Sequence, residues 1–496
     1  MDVVFAVSGV TGILLTVAAS LICFTFIRRR QLPPGPWGVP LLGCLPFWKG
    51  PETNSEWYNQ YGDIYSVRMG SSLIVYLNSM PLVNKYLKDS VDIIDRPPGP
   101  AAIGQGILFG SGQKWRLNRT LCLHTLWGDK AEQAFHRHLQ NEATDLLAQL
   151  ERFSEREMNL TETLRPCIVN GLCTLIRGSR FSYTDPDFVS LVALLRGADD
   201  VDLLSLSTAL SVKLPKLWAL IPHQSPDLAE ITAGLASVIG RWVAERRQSC
   251  EKYSSDSLID VFLNSEQYQQ INSTDDEMVQ SAIDMFNGGL VASLSGLEFL
   301  FLYLIHNPDV QSRIQGEIDD AIGSDRKPSW VDQSKLPYTV ATVMETLRLA
   351  CITPSTLPHV ATRDVTVHGY SVPKGSGVVA SIFCLHRQSA QHEDPETFNP
   401  ERFLNKDSTL RTPSDFIPFG VAPRNCPGDR WFHVLAFLIL TWVLQSYSVS
   451  QPQGEELPPF KTKMRIVRRL EPYSLVLTPR KTSSKFVSEN KSQDIN

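Results

Sequence analysis

The stretch FIPFGVAPRNCPG, from Phe416 to Gly428, places a single cysteine, Cys426, in a loop rich in glycine and proline. The apolar run DRWFHVLAFLILTWVLQSY follows from Asp429 and predicts a buried helix. Cys426 therefore precedes the N-terminus of that helix, where free amide N–H groups and the helix dipole favour negative charge. We expect a thiolate at this position, and a buried thiolate is suited to a soft or borderline metal.

Inert core packing is the alternative for any one cysteine, because free cysteines are among the most buried residues. The chain has nine cysteines, an odd number without a C-x-x-C pair, which indicates a reduced, cytosol-facing protein rather than a disulfide framework. At Cys426 the local sequence favours a ligand instead. Arg424, two residues earlier, would suit an acidic edge of a cofactor.

The composition is that of a large globular protein. The chain has 496 residues, of which 43% are hydrophobic and 20% charged, and its formal net charge is −5. This length provides ample core for one large domain or for two or three small ones. The slightly acidic balance, without a basic cluster, argues against nucleic acid as a partner.

An uncharged apolar segment covers residues 3–27. As a helix rising about 1.5 Å per residue it would span roughly 37 Å, more than the hydrocarbon core of about 30 Å. A cleaved signal peptide is the alternative, but the apolar part is too long and three arginines follow it rather than precede it. We therefore predict a transmembrane anchor with a basic stop over residues 1–30, a lumenal N-terminus, and a stiff proline-rich hinge over residues 31–48.

The body of the chain combines two short strand-like runs, residues 64–69 and 72–77, with many amphipathic helical patterns. A long apolar helical pattern covers residues 278–306 and is interrupted by Gly288 and Gly289. Each glycine in a helix interior costs about 1 kcal/mol relative to alanine, so these two suggest that something packs closely against the backbone.

Three further motifs are weak when taken singly. Trp115 and Arg119 are four apart in a helical pattern, a spacing that is more often a surface cation–π pair. Glu345 and Arg348 have an ion-pair spacing worth only roughly 0.2–0.5 kcal/mol on a helix surface. The run Pro400-Glu401-Arg402-Phe403 lies downstream of both.

In order along nearly the whole chain, these features resemble the cytochromes P-450, the haem-thiolate oxygenases. The family signature F-G-x-G-x-R-x-C-x-G matches residues 419–428, except that Ala422 stands where glycine is usual. The proline hinge and the Pro-Gly after the cysteine are most similar to the animal microsomal group. The resemblance implies a mainly α fold with small β-sheets: one large haem domain over residues 49–480, preceded by the transmembrane helix and followed by a disordered tail, 481–496.

The resemblance also implies roles for individual residues. Cys426 would bind the iron of haem b. Other cofactor contacts are implied for Trp115, Arg119, His359, Phe419 and Arg424. A network of Glu345, Arg348 and Arg402 would steady the cysteine loop, and Gly288 and Gly289 would match the small residues of the oxygen-binding helix.

One departure from the family pattern bears on mechanism. The family carries an acid followed by an alcohol after these glycines, and this pair organises proton delivery; here the two positions are Val291 and Ala292. Losing one well-placed proton donor costs roughly 10²–10⁴ in rate and would let reduced oxygen escape as peroxide. Either Ser293, Ser295 or a substrate hydroxyl replaces the pair, or the reaction does not need it.

Three functions stay open at this point. The first is a monooxygenase of the endoplasmic reticulum membrane that acts on a lipophilic steroid, fatty acid or xenobiotic. Its electrons would come from an NADPH-dependent reductase, with cytochrome b5 as a further partner, because the chain has no dinucleotide fingerprint. The second is a haem-thiolate isomerase or dehydratase that acts on a lipid peroxide without O₂. The third is a non-catalytic haem- or sterol-binding protein.

Overall fold

The computed structural model describes the chain in eight stretches, which divide into two compact units. The first unit is built from described residues between 31 and 97, from 355–385 and from 420–424; the second contains the others. The segments predicted as a membrane anchor and as a tail lie outside the described residues, which are 31–40, 42–97, 106–197, 228–249, 257–270, 274–388, 392–465 and 467–480.

Helices dominate the described residues, as the resemblance implies. In chain order they are α1 (Pro51–Tyr61), α2 (Met80–Val83), α3 (Gly112–Trp127), α4 (Asp129–Glu151), α5 (Leu160–Arg177), α6 (Pro186–Arg196), α7 (Leu228–Gln248), α8 (Leu258–Asn264), α9 (Glu266–Gln270), α10 (Asp275–His306), α11 (Pro308–Ala321), α12 (Pro337–Ala350), α13 (Ile382–Leu385) and α14 (Asp429–Ser446). Short 3₁₀ segments are formed by Leu45–Phe47, Trp330–Lys335 and Pro400–Phe403, and a π-helical turn by Asn84–Lys88.

The strands are short and form four small sheets in the described part of the chain. In chain order they are β1 (Ile64–Met69), β2 (Ser72–Leu77), β3 (Ile93–Asp95), β4 (Glu157–Asn159), β5 (His359–Ala361), β6 (Val365–Val367), β7 (Tyr370–Val372), β8 (Gly377–Ala380), β9 (Tyr447–Ser450), β10 (Thr462–Met464), β11 (Arg468–Leu470) and β12 (Ser474–Pro479). The predicted fold class, mainly α with small β-sheets, is confirmed.

The first unit is organised around a five-stranded sheet in the order β1-β2-β8-β5-β3. β1 and β2 pair antiparallel with Tyr65 opposite Tyr76, and these two rings stack with 4.9 Å between their centroids. The ring of Trp57 from α1 packs edge-on against Tyr65. Both runs predicted as strands, residues 64–69 and 72–77, are confirmed with the same bounds.

The proline-rich segment predicted as a stiff tether is bonded along β1. Ser66 donates its N–H to the carbonyl of Pro34 and its hydroxyl to the carbonyl of Pro33, each at 2.7 Å. The Cys44 N–H donates to the carbonyl of Arg68 at 2.6 Å. Since proline lacks an N–H, these carbonyls pair with the strand while the segment itself stays extended. The described residues of this segment are therefore bonded to the first unit.

The second unit is built around α10, against which α5, α7, α12 and α14 pack. Acidic residues over Asp275–Glu277 complement the positive end of the helix dipole, and the helix ends at His306, before Pro308. The helix predicted over residues 278–306 is thus confirmed, with a start three residues earlier. Within the described stretches, α10 alone is long and apolar enough to cross a membrane, but most of it is buried in this unit.

α14 is the buried helix predicted after the cysteine loop, and it begins at Asp429 as expected. It approaches α10 most closely at Gly296, where an added Cβ atom would lie 2.4 Å from the ring of Phe432. That distance is far inside van der Waals contact. A glycine is therefore required at this crossing.

We expect Gly296→Ala to destabilise the protein by about 1–3 kcal/mol, because the new methyl group overpacks the contact between α10 and α14. The matched control is Gly316→Ala in α11, where an added Cβ atom meets no heavy atom within 4 Å. The control should be neutral or more stable by up to about 1 kcal/mol, because alanine is the better helix former. Urea denaturation measures both; equal midpoints for the two variants would contradict the close approach.

Candidate active site

The cysteine loop presents Cys426 at the start of α14. The Cys426 N–H donates to the carbonyl of Phe419 at 2.8 Å, which closes the loop, and the Gly428 N–H donates to the Cys426 sulfur at 3.3 Å. Among the seven cysteines in the described part of the chain, Cys426 alone is exposed and the other six are buried. The structure thus separates one reachable thiol from six that serve as core.

The surroundings of this thiol shift its pKa. Although Cys426 is exposed, the protein atoms close to its sulfur raise the pKa of this thiol to about 11 by desolvation, and the nearby Asp429 carboxylate acts in the same direction. The Gly428 N–H and Arg119 oppose this effect but do not overcome it. This direction is opposite to the expectation that the placement of Cys426 before a helix favours a thiolate. A bound metal ion would favour deprotonation.

α3 supports the residue next to the cysteine. Arg119 donates through Nη2 to the Asn425 carbonyl at 2.7 Å and to Asn425 Oδ1 at 2.9 Å. Its guanidinium carbon lies 5.9 Å from the Trp115 ring, so the two side chains share a face as the spacing predicts. The indole N–H of Trp115 donates to the carbonyl of Ile107 at 3.1 Å. Both predicted residues therefore lie in the second unit with Cys426, and Arg119 bonds directly to the cysteine loop.

A buried basic cluster lies in the first unit. Arg96 donates through Nη1 to the carbonyls of Leu357 and Pro358 at 2.7 and 3.0 Å, and this nitrogen is 3.4 Å from His359 Nδ1. Arg424 donates to the carbonyl of Ile94 at 3.0 Å. Two predicted cofactor contacts, His359 and Arg424, thus share this unit with Arg96, a residue the sequence analysis missed. Arg96 directly precedes two prolines at a strand end, but no spacing rule singles it out.

The electrostatics of this cluster favour an anion. Burial, followed by the charges of Arg96 and Arg424, lowers the pKa of His359 to about 3, so its imidazole is neutral. Arg96 is a donor, so its contact fits an accepting His359 Nδ1, and on this basis we assign the ring proton to Nε2. His359 Nε2 is buried and has no hydrogen-bond partner among the described residues. A buried donor beside two cations is suited to a carboxylate.

One face of α10 is left uncovered. Most of this helix is buried, but Gly288 is exposed and Ala292, one turn later, is partly accessible. A Cβ atom at Gly288 would meet no heavy atom within 4 Å, whereas one at Gly289 would lie 2.8 Å from Leu172. Close packing, which we predicted for both glycines, is therefore found at Gly289 only. The accessible face has space beside the backbone and carries neither an acid nor an alcohol.

The two serines that could replace the missing pair are bonded elsewhere. Ser293 is buried and its hydroxyl accepts a hydrogen bond from the Trp431 indole at 3.2 Å. Ser295 donates to the carbonyl of Arg468 at 2.6 Å. Both hydroxyls are buried, whereas Gly288 and Ala292 are accessible. This placement argues against Ser293 as the substitute proton donor.

Asp284 is a second residue that sequence analysis missed. It lies one turn before Gly288, is buried, and accepts hydrogen bonds from the Leu108 N–H at 2.9 Å and from Gln280 Nε2 at 3.0 Å. Burial raises the pKa of this carboxyl to about 6 although these donors oppose the shift. Asp284 therefore ties the loop before α3 to α10. The available signal was an acidic residue within the apolar helical pattern over residues 278–306, which contains one other acid, Glu298.

Glu345, Arg348 and Arg402 meet, as the resemblance implies. Arg348 donates to both oxygens of Glu345, at 2.7 and 2.8 Å, and neither residue is exposed. Arg402 Nε lies 3.3 Å from Glu345 Oε1, which also accepts the Asn399 N–H at 2.8 Å. The charge of one buried carboxylate is thus balanced by two guanidinium groups and a backbone donor.

This network reaches the cysteine loop through His386. Arg348 donates to the His386 carbonyl at 2.9 Å, and the Ile417 N–H donates to His386 Nε2 at 3.1 Å. Burial, followed by neighbouring arginine charges, holds the pKa of His386 well below its usual value, so the ring is a neutral acceptor. The His386 ring stacks on Phe416 with 5.5 Å between centroids, and Phe403 meets Phe416 edge-on at 4.8 Å.

Taken separately, both units fit what haem b requires. The second provides a reachable sulfur and a helix face without a side chain at Gly288. The first provides a buried donor at His359 beside two cations. No group of three or more His, Cys, Asp or Glu side chains within the described stretches could hold a metal ion. A lone sulfur ligand suits an iron that a macrocycle already coordinates.

Comparison with known proteins agrees with this arrangement. A family model described as cytochrome P450 matches residues 33–477. The chain is 28% identical to a steroid 17-alpha-hydroxylase/17,20 lyase of Ictalurus punctatus, covering 94% of this chain and 95% of that protein. It is 29% identical to cytochrome P450 2D27 of Mesocricetus auratus, covering 90% and 94%, and 28% identical to cytochrome P450 2C44 of Mus musculus, covering 91% and 94%.

Asp284→Asn should change how stability depends on pH. With a pKa of about 6 against an ordinary 3.8, folded Asp284 retains a proton that the unfolded chain has lost between these values. The free energy of unfolding of the wild type should therefore fall as pH rises from about 4 to about 6, by roughly 2–3 kcal/mol. Urea midpoints measured across this pH range should no longer show this fall in Asp284→Asn. They should still show it in Asp320→Asn, a control that changes an exposed carboxylate. The same pH dependence in both variants would refute the raised pKa of Asp284.

Proposed function

Since the chain belongs to the cytochrome P450 family, whose members use haem b and electrons passed from NADPH through a reductase, we propose that it inserts one oxygen atom of O₂ into a lipophilic substrate while anchored to the endoplasmic reticulum membrane. The observation that carries the proposal is the exposed Cys426, the one reachable thiol of the described residues. It stands on a loop that the buried Glu345 network supports.

Cys426 holds the iron of haem b in this proposal, and Phe419, whose carbonyl accepts the Cys426 N–H, lies against the cofactor. Haem b supplies the redox-active iron at which O₂ is activated, and thiolate ligation favours O–O cleavage. The Gly428 N–H, already directed at the sulfur, limits the charge that the thiolate donates. Arg119 keeps the preceding residue in place through its two bonds to Asn425.

The basic residues receive the propionate groups of the cofactor. His359 offers the Nε2 proton that finds no acceptor among the described residues, and Arg96 and Arg424 supply positive charge beside it. Arg119 and Trp115 are the further contacts that the family pattern assigns to this edge. Burial makes such charge-assisted bonds stronger than their surface equivalents.

Substrate lies against Gly288 and Gly289, with the open space at Gly288 leaving room beside the helix backbone. That face lacks a proton donor, and Ser293 and Ser295 are engaged in other bonds. Protons must then come from a hydroxyl of the substrate or from water that the substrate orders. We infer that substrates without such a hydroxyl couple electron flow poorly to product formation.

The lack of a proton donor beside Gly288 also favours a second candidate, a haem-thiolate isomerase or dehydratase that acts on a lipid peroxide. Such a rearrangement needs no proton delivery to O₂ and no reductase. The face of Gly288 and Ala292, apolar and without an acid, is compatible with it. The monooxygenase stays the leading proposal because it is the activity of the family to which the chain belongs.

Membrane attachment is proposed through residues 1–30, an apolar segment with a basic stop, with residues 31–48 as the hinge. Within the hinge, Trp37 is 62% exposed and Phe47 50%, which suits the edge of a bilayer. Residues 49–480 then form the cytosolic haem-thiolate domain and residues 481–496 a polar tail. An NADPH–cytochrome reductase and cytochrome b5 are the proposed electron donors, and a steroid, fatty acid or xenobiotic is the proposed substrate.

The decisive experiment uses the full chain in bilayers with an NADPH–cytochrome reductase and a panel of steroids, fatty acids and drugs. We expect product that carries one atom from labelled O₂, with more than about half of the electrons leaving as peroxide for substrates without a suitable hydroxyl. Cys426→Ser, the matched control, should lose the spectrum of a thiolate-ligated carbon monoxide complex. Turnover of a lipid hydroperoxide without NADPH, and no oxygenated product with it, would instead establish the isomerase.

Arg96→Gln should release haem about 10–100-fold faster than the wild type, because it removes a cation from a buried carboxylate-binding cluster. Transfer of haem to apomyoglobin measures the rate. The control is Arg363→Gln in the same unit, whose side chain is 71% exposed and pairs with Asp92. If both variants release haem at the wild-type rate, the cluster does not bind the cofactor.

A further inference from the structure

The cysteine loop begins with a second buried pair that the family motifs do not include. His392 Nε2 lies 3.2 Å from Asp415 Oδ2, and each residue is 2% exposed. Asp415 directly precedes Phe416, the first residue of the loop. Apart from His392, the described residues provide no hydrogen-bond partner for the Asp415 carboxylate. A buried carboxylate in this situation depends on the one polar side chain beside it, that of His392.

The segment that carries His392 is tied to the Glu345 network. Arg402, which lies 3.3 Å from Glu345 through Nε, also donates to the carbonyl of Glu393 through Nη1 and to that of Asp394 through Nη2 at 2.5 Å. These carbonyls belong to the two residues that follow His392. The backbone that follows His392 is therefore bonded to Arg402, which contacts the same Glu345 carboxylate as Arg348.

Two routes thus lead from Glu345 to the start of the cysteine loop. One passes through Arg348 and His386 to the Ile417 N–H. The other passes through Arg402 and the backbone at 393–394 to His392 and then to Asp415. They end two residues apart, on either side of Phe416, whose ring is already stacked on His386. Each of residues 415–417 therefore has a contact of its own: Asp415 with His392, the Phe416 ring with the His386 ring, and the Ile417 N–H with His386 Nε2.

We propose that His392 and Asp415 form a positioning pair that holds the cysteine loop in the geometry needed for thiolate ligation. Neither residue touches the cofactor. They act by preventing the first turn of the loop from shifting, since loop displacement would separate two buried polar groups 3.2 Å apart and leave each without the other. The inference rests on the proposed ligation of haem by Cys426.

The test compares holoenzyme of the full chain with His392→Ala, Asp415→Asn and the double variant. Two quantities are measured: the fraction of the reduced carbon monoxide complex that is thiolate-ligated, and the rate of haem transfer to apomyoglobin. Each single change should speed haem loss about tenfold and lower the thiolate-ligated fraction, as loss of a supporting contact does at other metal sites. The double variant should be no worse than either single variant, because both remove the same pair.

His392→Gln, which keeps a donor near the Nε2 position, should recover most of the loss. Asp407→Asn is the matched control, because it neutralises an exposed carboxylate in the same stretch of chain. Wild-type spectra and haem-loss rates in both single variants would overturn the proposal, even if their thermal stability falls. If neither single variant folds, His392→Gln alone decides: haem loss about two- to threefold faster than wild type supports the pair, and an unchanged rate overturns it.

Failure of this inference differs from failure of the proposed function. If wild-type protein shows no thiolate-ligated complex, the ligand assignment itself is wrong. If wild type shows that complex and the variants match it, Cys426 stays the ligand and only the positioning pair is refuted.

Discussion

The carboxylate of Glu345 constrains the second unit more than any other group. It is fully buried, so its charge must be compensated by groups held at fixed distances. Arg348 binds it through two nitrogens, Arg402 approaches the same oxygen as the Asn399 N–H, and each arginine extends the contact to a different stretch of backbone. Leaving this charge unpaired would be costly, and both routes to the start of the cysteine loop begin at this carboxylate.

The same unit contains the exposed Cys426 and an accessible segment of α10. Cys426 is held by bonds to Phe419 and Gly428 and, through Asn425, by Arg119. By contrast, the accessible residues in the middle of α10 are Asn287, Gly288, Gly289 and Ala292, none of which is an acid or an alcohol. In the proposed function, cofactor attachment would thus depend on the cysteine loop and proton delivery on α10, which are different elements. This separation is the reason why the identity of the substrate, and whether it brings its own hydroxyl, has such weight for the chemistry.

Much of this arrangement was predictable from local sequence. The buried helix after the cysteine, the long apolar helix, the two strands and the shared face of Trp115 and Arg119 follow from periodicity, which depends on near neighbours. Arg96 and Asp284 were missed, because each acts on backbone groups far away in sequence: Arg96 on residues 357 and 358, Asp284 on residue 108. The sign of the Cys426 pKa shift was wrong for a similar reason, since burial depends on everything that surrounds the sulfur.

By itself the sequence determined which residues are available: one cysteine in a signature loop, an E-x-x-R pair with a downstream arginine, and a central helix without the usual acid and alcohol. Spacing along a chain is enough for such statements because helix and loop geometry are local. Only the tertiary structure decided that Ser293 and Ser295 are buried and bonded to other groups, that Gly288 leaves open space while Gly289 does not, and that His392 meets Asp415. Those outcomes depend on how distant segments pack, and burial sets the energy of every polar group they enclose.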